Sequence, residues 1–265
     1  MTSRFSVPPT VPGIAALALA AACGGGTQPA PAEPAAGPRG LAGAEQLVLV
    51  ITPAWDSTSG VLRRFVRADA RSRWQSEGSA VPAVIGRRGL AWGVGFEPHA
   101  APDEPRKREG DGRSPAGVVS LDTAFGFAPA DSARWLRLPY LQLSTGTECV
   151  DDTASVHYNR VVERGDVARV DWQSAERMRQ VQPYRLGFTT GYNTTPHVKA
   201  RGSCIFFHIW SGPRSTTAGC TALAEGDLRV LMAWLDPRAN PVAVQLPAAV
   251  HARLREAWGL PALDR

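Results

Sequence analysis

Cys220 and His208 are residues whose types and spacing fit nucleophilic catalysis. A cysteine thiolate attacks carbonyl carbon, and a neutral imidazole within hydrogen-bond reach can take the thiol proton. Taken singly, each residue type is more often part of a buried core. Here Gly219 directly precedes the cysteine and permits a sharp turn beside a ligand, and twelve positions let the chain return from His208. The pair therefore predicts a cysteine nucleophile with a histidine base, suited to acyl transfer.

The elements around this pair follow from hydrophobic patterning. Residues 204–210, CIFFHIW, form a continuous apolar run, which predicts a strand buried on both faces. Residues 212–219 are mostly small or hydroxyl-bearing and predict a loop. Leu228, Leu231 and Leu235 then fall on one face of a helix. We therefore expect Cys220 in a strand–loop–helix turn, where nearby backbone N–H groups can hold an oxyanion.

The rest of the chain predicts a mainly β fold with flanking helices, of the α+β class. Short apolar runs separated by Gly, Ser and Pro predict strands at 46–52, 61–67, 80–85, 90–94, 117–121, 140–144, 184–190 and 242–246. A helical turn or short helix is expected near 174–181 with Ser174 as its N-cap, and a last helix is expected to start at Pro247. The polar segment 98–114 is either an exposed loop beside a site or a surface excursion.

The segment around the pair resembles the catalytic core of the L,D-transpeptidases of the YkuD type. The motifs that carry this resemblance are GSCIFFH, ending at His208, and Thr217-Ala218-Gly219-Cys220. Residues 114–118, SPAGV, are similar to an early strand of that domain, and residues 191–203 are similar to its approach to the histidine strand. The resemblance covers about residues 46–247. It implies a YkuD-like β-sandwich.

The resemblance also implies roles for individual residues. Cys220 would be the nucleophile and His208 the base, with a backbone carbonyl holding the histidine tautomer. Thr217 and Gly219 would shape the loop, and backbone from Gly219 to Thr221 would form the oxyanion hole. Candidate substrate contacts are Ser203, Tyr192 and Ser215. His197 lies near the entry to the histidine strand and is either a further contact that lines the cleft or a surface-loop residue. No cofactor and no metal are implied.

Two departures from the family pattern concern substrate contacts more than the nucleophile. Many members carry arginine two places after the cysteine, where this chain has Ala222. Many have glycine directly after the histidine, where this chain has Ile209.

The implied reaction acts on peptidoglycan stem tetrapeptides. Cys220 would attack the carbonyl before the terminal D-Ala, releasing D-Ala and forming a thioester. An amine of a neighbouring stem would then form a 3→3 cross-link, whereas water would make the enzyme an L,D-carboxypeptidase. The alternatives from other classes are a non-catalytic peptidoglycan-binding lipoprotein and a cysteine hydrolase of ordinary peptides.

The N-terminus predicts export. Residues 1–22 combine Arg4, a short apolar stretch and small residues before Cys23, as in a lipoprotein signal peptide, with plain secretion as the alternative. Residues 23–45 are rich in Gly, Ala and Pro and predict a flexible tether, so that 46–265 form the catalytic domain. We expect an envelope or periplasmic protein anchored to a membrane through lipid at Cys23.

The remaining cysteines and the net charge bear on three further properties: a disulfide, a zinc site and nucleic-acid binding. If Cys23 is lipidated and Cys220 free, Cys149 and Cys204 are left as a disulfide or as two buried thiols. A zinc site at Cys204, His208 and Cys220 is disfavoured, since no CxxC or HExxH pattern occurs. The net charge of +5 comes from scattered arginines, which predicts a solvated basic face and no nucleic-acid partner. The oligomeric state stays open.

Overall fold

Residues 1–2 and 39–263 are described by the computed structural model, and strand is their main secondary structure. Strands account for 33% and helices for 18%, which confirms the expected β-rich fold with few helices. Residues 3–38 lie outside the described part, so the expected cleavage region, Cys23 and most of the expected tether do too. Of the helices that are described, none is long and apolar enough to cross a membrane.

The strands and helices are numbered in chain order. The strands are β1 (Gln46–Thr52), β2 (Ser59–Val66), β3 (Gln75–Val84), β4 (Leu90–Trp92), β5 (Ser114–Gly126), β6 (Tyr140–Gln142), β7 (Thr147–Val150), β8 (Val161–Glu163), β9 (Ala175–Arg177), β10 (Leu186–Thr190), β11 (Phe206–Ile209), β12 (Thr221–Leu223) and β13 (Val242–Pro247). The helices are α1 (Arg39–Ala42), α2 (Glu225–Trp234) and α3 (Ala248–Trp258). Short 3₁₀ turns include Met178–Gln180 and Gln182–Arg185.

Eight strands close into a barrel. Their order is β10-β11-β12-β3-β2-β1-β13-β5, and β5 pairs back with β10 to complete the ring. The sequence expectation was a sandwich, and the difference arises because β5 is 13 residues long and pairs with both β13 and β10. β4 and β6 pair with β5 outside this ring, and β8, β7 and β9 form a separate three-stranded sheet.

The barrel is filled by apolar side chains that the sequence pattern anticipates. All seven residues of β1 are buried, as expected for a central strand between β2 and β13. The rings of Phe188 and Phe207 stack with centroids 4.9 Å apart across β10 and β11. α2 covers β10 and β11 and buries Leu228, Leu231 and Met232. α2 thus supports the strand that carries His208.

Two local predictions need correction. The helical turn expected over 174–181 is confined to the 3₁₀ turn Met178–Gln180, because residues 175–177 form β9 and pair with β7, with Ala175 opposite Val150. Ser174 donates to the Asp151 carboxylate and caps no helix. Cys220 is not in a simple strand–loop–helix turn, because the short strand β12 intervenes before α2.

Candidate active site

The pairing of β11 with β12 brings His208 and Cys220 to one place. These strands are parallel neighbours, with His208 opposite Ala222, and Cys220 lies directly before β12. Both residues line a cavity of about 350 Å³. The sequence prediction that the loop returns the cysteine beside the histidine strand is therefore matched by the geometry.

The Cys220 thiol is buried and held by backbone groups. Its Sγ accepts a hydrogen bond from the Phe206 N–H at 3.3 Å and donates to the Cys204 carbonyl at 3.4 Å. Burial, reinforced by the charge of Glu176, raises the pKa of the thiol to about 12. Among residues 39–263, no hydrogen bond joins this sulfur to the His208 ring. The Cys220 side chain is therefore a neutral thiol near pH 7.

The His208 ring is buried in a defined orientation. Nδ1 lies 2.8 Å from the Ile209 carbonyl oxygen. Since a carbonyl can only accept, Nδ1 carries a proton in this contact, and Nε2 of the neutral ring is left as the acceptor. Burial lowers the pKa of His208 to about 4. The ring is thus held in the tautomer that a general base requires.

The loop before Cys220 is fixed mainly by hydroxyl groups. Thr217 Oγ1 donates to the Cys220 carbonyl at 2.6 Å and accepts from the Gly219 N–H at 3.1 Å. Ser114 Oγ donates to the same Cys220 carbonyl at 3.0 Å. The Thr217 N–H in turn donates to the Ile85 carbonyl, and the Thr217 carbonyl accepts from the Arg87 N–H. The expected loop-shaping place of Thr217 agrees with these contacts.

The contacts of Gly219 and Thr221 add constraints that the sequence did not predict. Gly219 does not have a positive φ, and its constraint is space, since a Cβ there would lie 3.1 Å from the Arg113 carbonyl oxygen. Its N–H is already bonded to Thr217, which removes it as an oxyanion donor. The Thr221 hydroxyl donates to Gln245 in the buried interior. Of the backbone N–H groups expected in an oxyanion hole, that of Gly219 is thus occupied, and that of Cys220 belongs to the residue that carries the thiol.

The four expected substrate contacts divide into two pairs. Ser203 and Ser215 line the cavity. Tyr192 does not line the cavity. It is buried because its ring fills the space beside Gly93, and its hydroxyl donates to the Arg201 carbonyl. His197 also lies off the cavity and packs edge-on against the Tyr158 ring, with centroids 5.9 Å apart.

The sequence reasoning missed an acid and a phenol beside the sulfur. Tyr184 Oη donates to Glu176 Oε2 at 2.7 Å and lies 4.0 Å from Cys220 Sγ. The Tyr184 ring meets the His208 ring edge-on, with centroids 5.1 Å apart. Burial raises the pKa values of both Glu176 and Tyr184. No sequence motif marks either residue, since β9 and a 3₁₀ turn bring them together.

Further charges line the same cavity. The acidic side chains of Glu109, Asp151 and Glu176 and the basic side chains of Arg87 and Lys107 all line it. Lys107 is only 2% exposed and its Nζ pairs with Asp111 at 2.6 Å. The segment 98–114 is therefore a loop beside the site, one of its two expected placements.

Cys149 and Cys204 form a disulfide, with an S–S distance of 2.07 Å. It joins β7 to the segment that precedes β11. The backbone carbonyl of Cys204 is also the group that accepts the hydrogen bond from the Cys220 thiol. A bonded Cys204 is not available as a zinc ligand, and the described ranges contain no group of three His, Cys, Asp or Glu residues suited to a metal. Within residues 39–263, Cys220 is the free cysteine.

Comparison with protein-family models, with curated proteins and with solved structures found no match for the chain.

Proposed function

We propose that the chain is a cysteine acyltransferase acting on peptidoglycan stem tetrapeptides, as an L,D-transpeptidase of YkuD-like type. The observation that carries the proposal is the shared cavity of Cys220 and His208, with Nδ1 of the histidine fixed on the Ile209 carbonyl. This arrangement leaves Nε2 as a proton acceptor in the same cavity as a thiol, which are the two groups that acylation needs.

The first half-reaction would form a thioester. As Cys220 Sγ attacks the carbonyl carbon before D-Ala, its proton passes to His208 Nε2, and the imidazolium then protonates the departing D-Ala nitrogen. The Cys220 N–H stabilises the oxyanion. Since burial keeps both the thiol and the imidazole neutral at rest, the proton moves only with substrate in the cavity. An amine acceptor then completes a 3→3 cross-link, and water completes carboxypeptidation.

The charges of the cavity suit such a peptide. A stem peptide carries both ammonium and carboxylate groups, and the cavity offers Glu109, Asp151 and Glu176 together with Arg87 and Lys107. Opposite charges within a few ångströms favour binding in an enclosed site. Arg87 makes no ion pair within the described residues, so its guanidinium is available to a substrate carboxylate.

The proposed location is the cell envelope, with the chain exported and anchored through lipid at Cys23. The disulfide between Cys149 and Cys204 supports an oxidising compartment, because such bonds rarely persist in reducing cytosol.

A non-catalytic peptidoglycan-binding role is the second candidate, and one observation favours it. The thiol has a pKa of about 12 and bonds to the backbone of Phe206 and Cys204 rather than to His208. Such a thiol is a poor nucleophile unless substrate reorients it.

Incubation with purified tetrapeptide muropeptides, followed by mass analysis, separates the two candidates. Loss of D-Ala, with a cross-linked or tripeptide product, is expected from the wild type and not from Cys220→Ala. A carbapenem should add covalently at Cys220. Muropeptide binding that survives in Cys220→Ala, with no D-Ala release or adduct in the wild type, would establish the binder instead.

A further inference from the structure

Tyr184 connects a carboxylate to the nucleophilic sulfur. Its hydroxyl donates to Glu176 Oε2 at 2.7 Å, and the same oxygen lies 4.0 Å from Cys220 Sγ, where either atom can donate. One hydroxyl therefore stands between the two groups, and the carboxylate lines the cavity that an acyl acceptor would enter. His208 contacts the Tyr184 ring edge-on, and among the described residues no hydrogen bond joins the imidazole to the Glu176 carboxylate.

The surroundings of Glu176 suit it to take up a proton. Burial, and the neighbouring carboxylates of Asp151 and Glu109, raise its pKa, which makes it a better base than an exposed carboxylate. Burial also raises the pKa of Tyr184 well above its ordinary value, so the bridging phenol stays protonated. The positive charge of Lys107 acts on the Cys220 thiol in the opposite direction to Glu176 and lowers the pKa of the thiol.

We propose that Glu176 is the base of the second half-reaction and that Tyr184 returns the proton to Cys220. This assignment rests on the proposed thioester. The acceptor, an uncharged amine or water, gives a proton to Glu176 as its nitrogen or oxygen bonds to the thioester carbonyl carbon. When the C–S bond breaks, its electron pair goes to Sγ. Tyr184 Oη then protonates Sγ and is reprotonated by Glu176, so all groups return to their starting states.

The two half-reactions can be separated with p-nitrophenyl acetate. The ester acetylates Cys220 with release of p-nitrophenol, and intact mass then follows hydrolysis of the acetyl-enzyme. Glu176→Gln should acetylate within about threefold of the wild-type rate, but its acetyl-enzyme should decay about 100-fold more slowly. Tyr184→Phe, which keeps the ring packing, should slow decay about tenfold. His208→Gln should show the opposite pattern, with slow acetylation.

Asp151→Asn is the matched control, because it removes a cavity carboxylate whose hydrogen bond goes to Ser174 instead of Tyr184. Asp151→Asn should slow decay of the acetyl-enzyme by less than about tenfold, against about 100-fold for Glu176→Gln. Glu176→Asp should restore part of the rate that Glu176→Gln loses. Equal losses in both half-reactions, unchanged decay in Glu176→Gln, or a wild-type Cys220 that is not acetylated would each overturn the assignment. An intact acetyl cycle with no muropeptide turnover would instead refute the proposed substrate and leave the base assignment standing.

Discussion

Replacing His208 by Gln should remove a specific pH dependence of stability. The imidazole is buried, and its pKa falls from an ordinary 6.5 to about 4 in the fold. Between these values the unfolded chain binds a proton that the folded chain does not, so stability is fully present above pH 6.5 and is lost as pH falls toward 4. Each pH unit across this interval costs about 1.4 kcal/mol, which gives a total of about 3 kcal/mol.

Urea unfolding measured at several pH values from 8 to 4 tests this figure, with the difference between variant and wild type isolating the one histidine. Glutamine keeps a donor for the Ile209 carbonyl but does not titrate, so its stability should fall with pH about 3 kcal/mol less than that of the wild type. Cys220→Ala, which retains His208, should follow the wild-type slope. Parallel curves for His208→Gln and the wild type would show that the imidazole is not held neutral, and the reasoning on its tautomer would fail with it.

Three further outcomes follow from the same contacts. Because burial raises the pKa of Cys220 to about 12, its alkylation by iodoacetamide should accelerate about tenfold per pH unit from pH 7 to 10; a plateau in this range would contradict a buried neutral thiol. Thr217→Ala should destabilise the fold by about 1 kcal/mol in urea, since it removes the bond to the Cys220 carbonyl, whereas Thr216→Ala at an exposed neighbouring position should change little. Replacing Cys149 and Cys204 together by Ala should cost about 2–5 kcal/mol, and no loss of Tm would show that the bond does not constrain the fold.

The sequence was most informative where the hydrophobic pattern was strong and local. The apolar runs of β1, β11 and β13 predicted their strands, and the leucine spacing predicted α2. β12 escaped prediction because three residues are too short for a periodic signal, and its role as a strand depends on pairing with β11 and β3. Barrel closure was equally hidden, since the contact of β5 with β10 is non-local.

The acidic and phenolic part of the cavity depends on tertiary structure in the same way. Glu176 was expected in a helix, and the pairing of β9 with β7 gives it a different direction. Tyr184 was expected at the start of a strand, but it lies in a 3₁₀ turn that directs its hydroxyl to Glu176 and Cys220. Local patterning carries no information on such a meeting of three segments, which only the packed fold specifies.

The departure from the family pattern at Ala222 is compatible with the cavity once β12 is considered as a whole. Ala222 lies between His208 of β11 and Val84 of β3 and is 0% exposed, so a longer side chain there would take space from the cavity. The cavity still has a cation at the turn after β3, because the Arg87 N–H donates to the Thr217 carbonyl at 2.9 Å. The contact that fixes the Cys220 loop therefore also holds the backbone that carries this guanidinium. A positive charge in the cavity that Cys220 lines therefore does not depend on position 222.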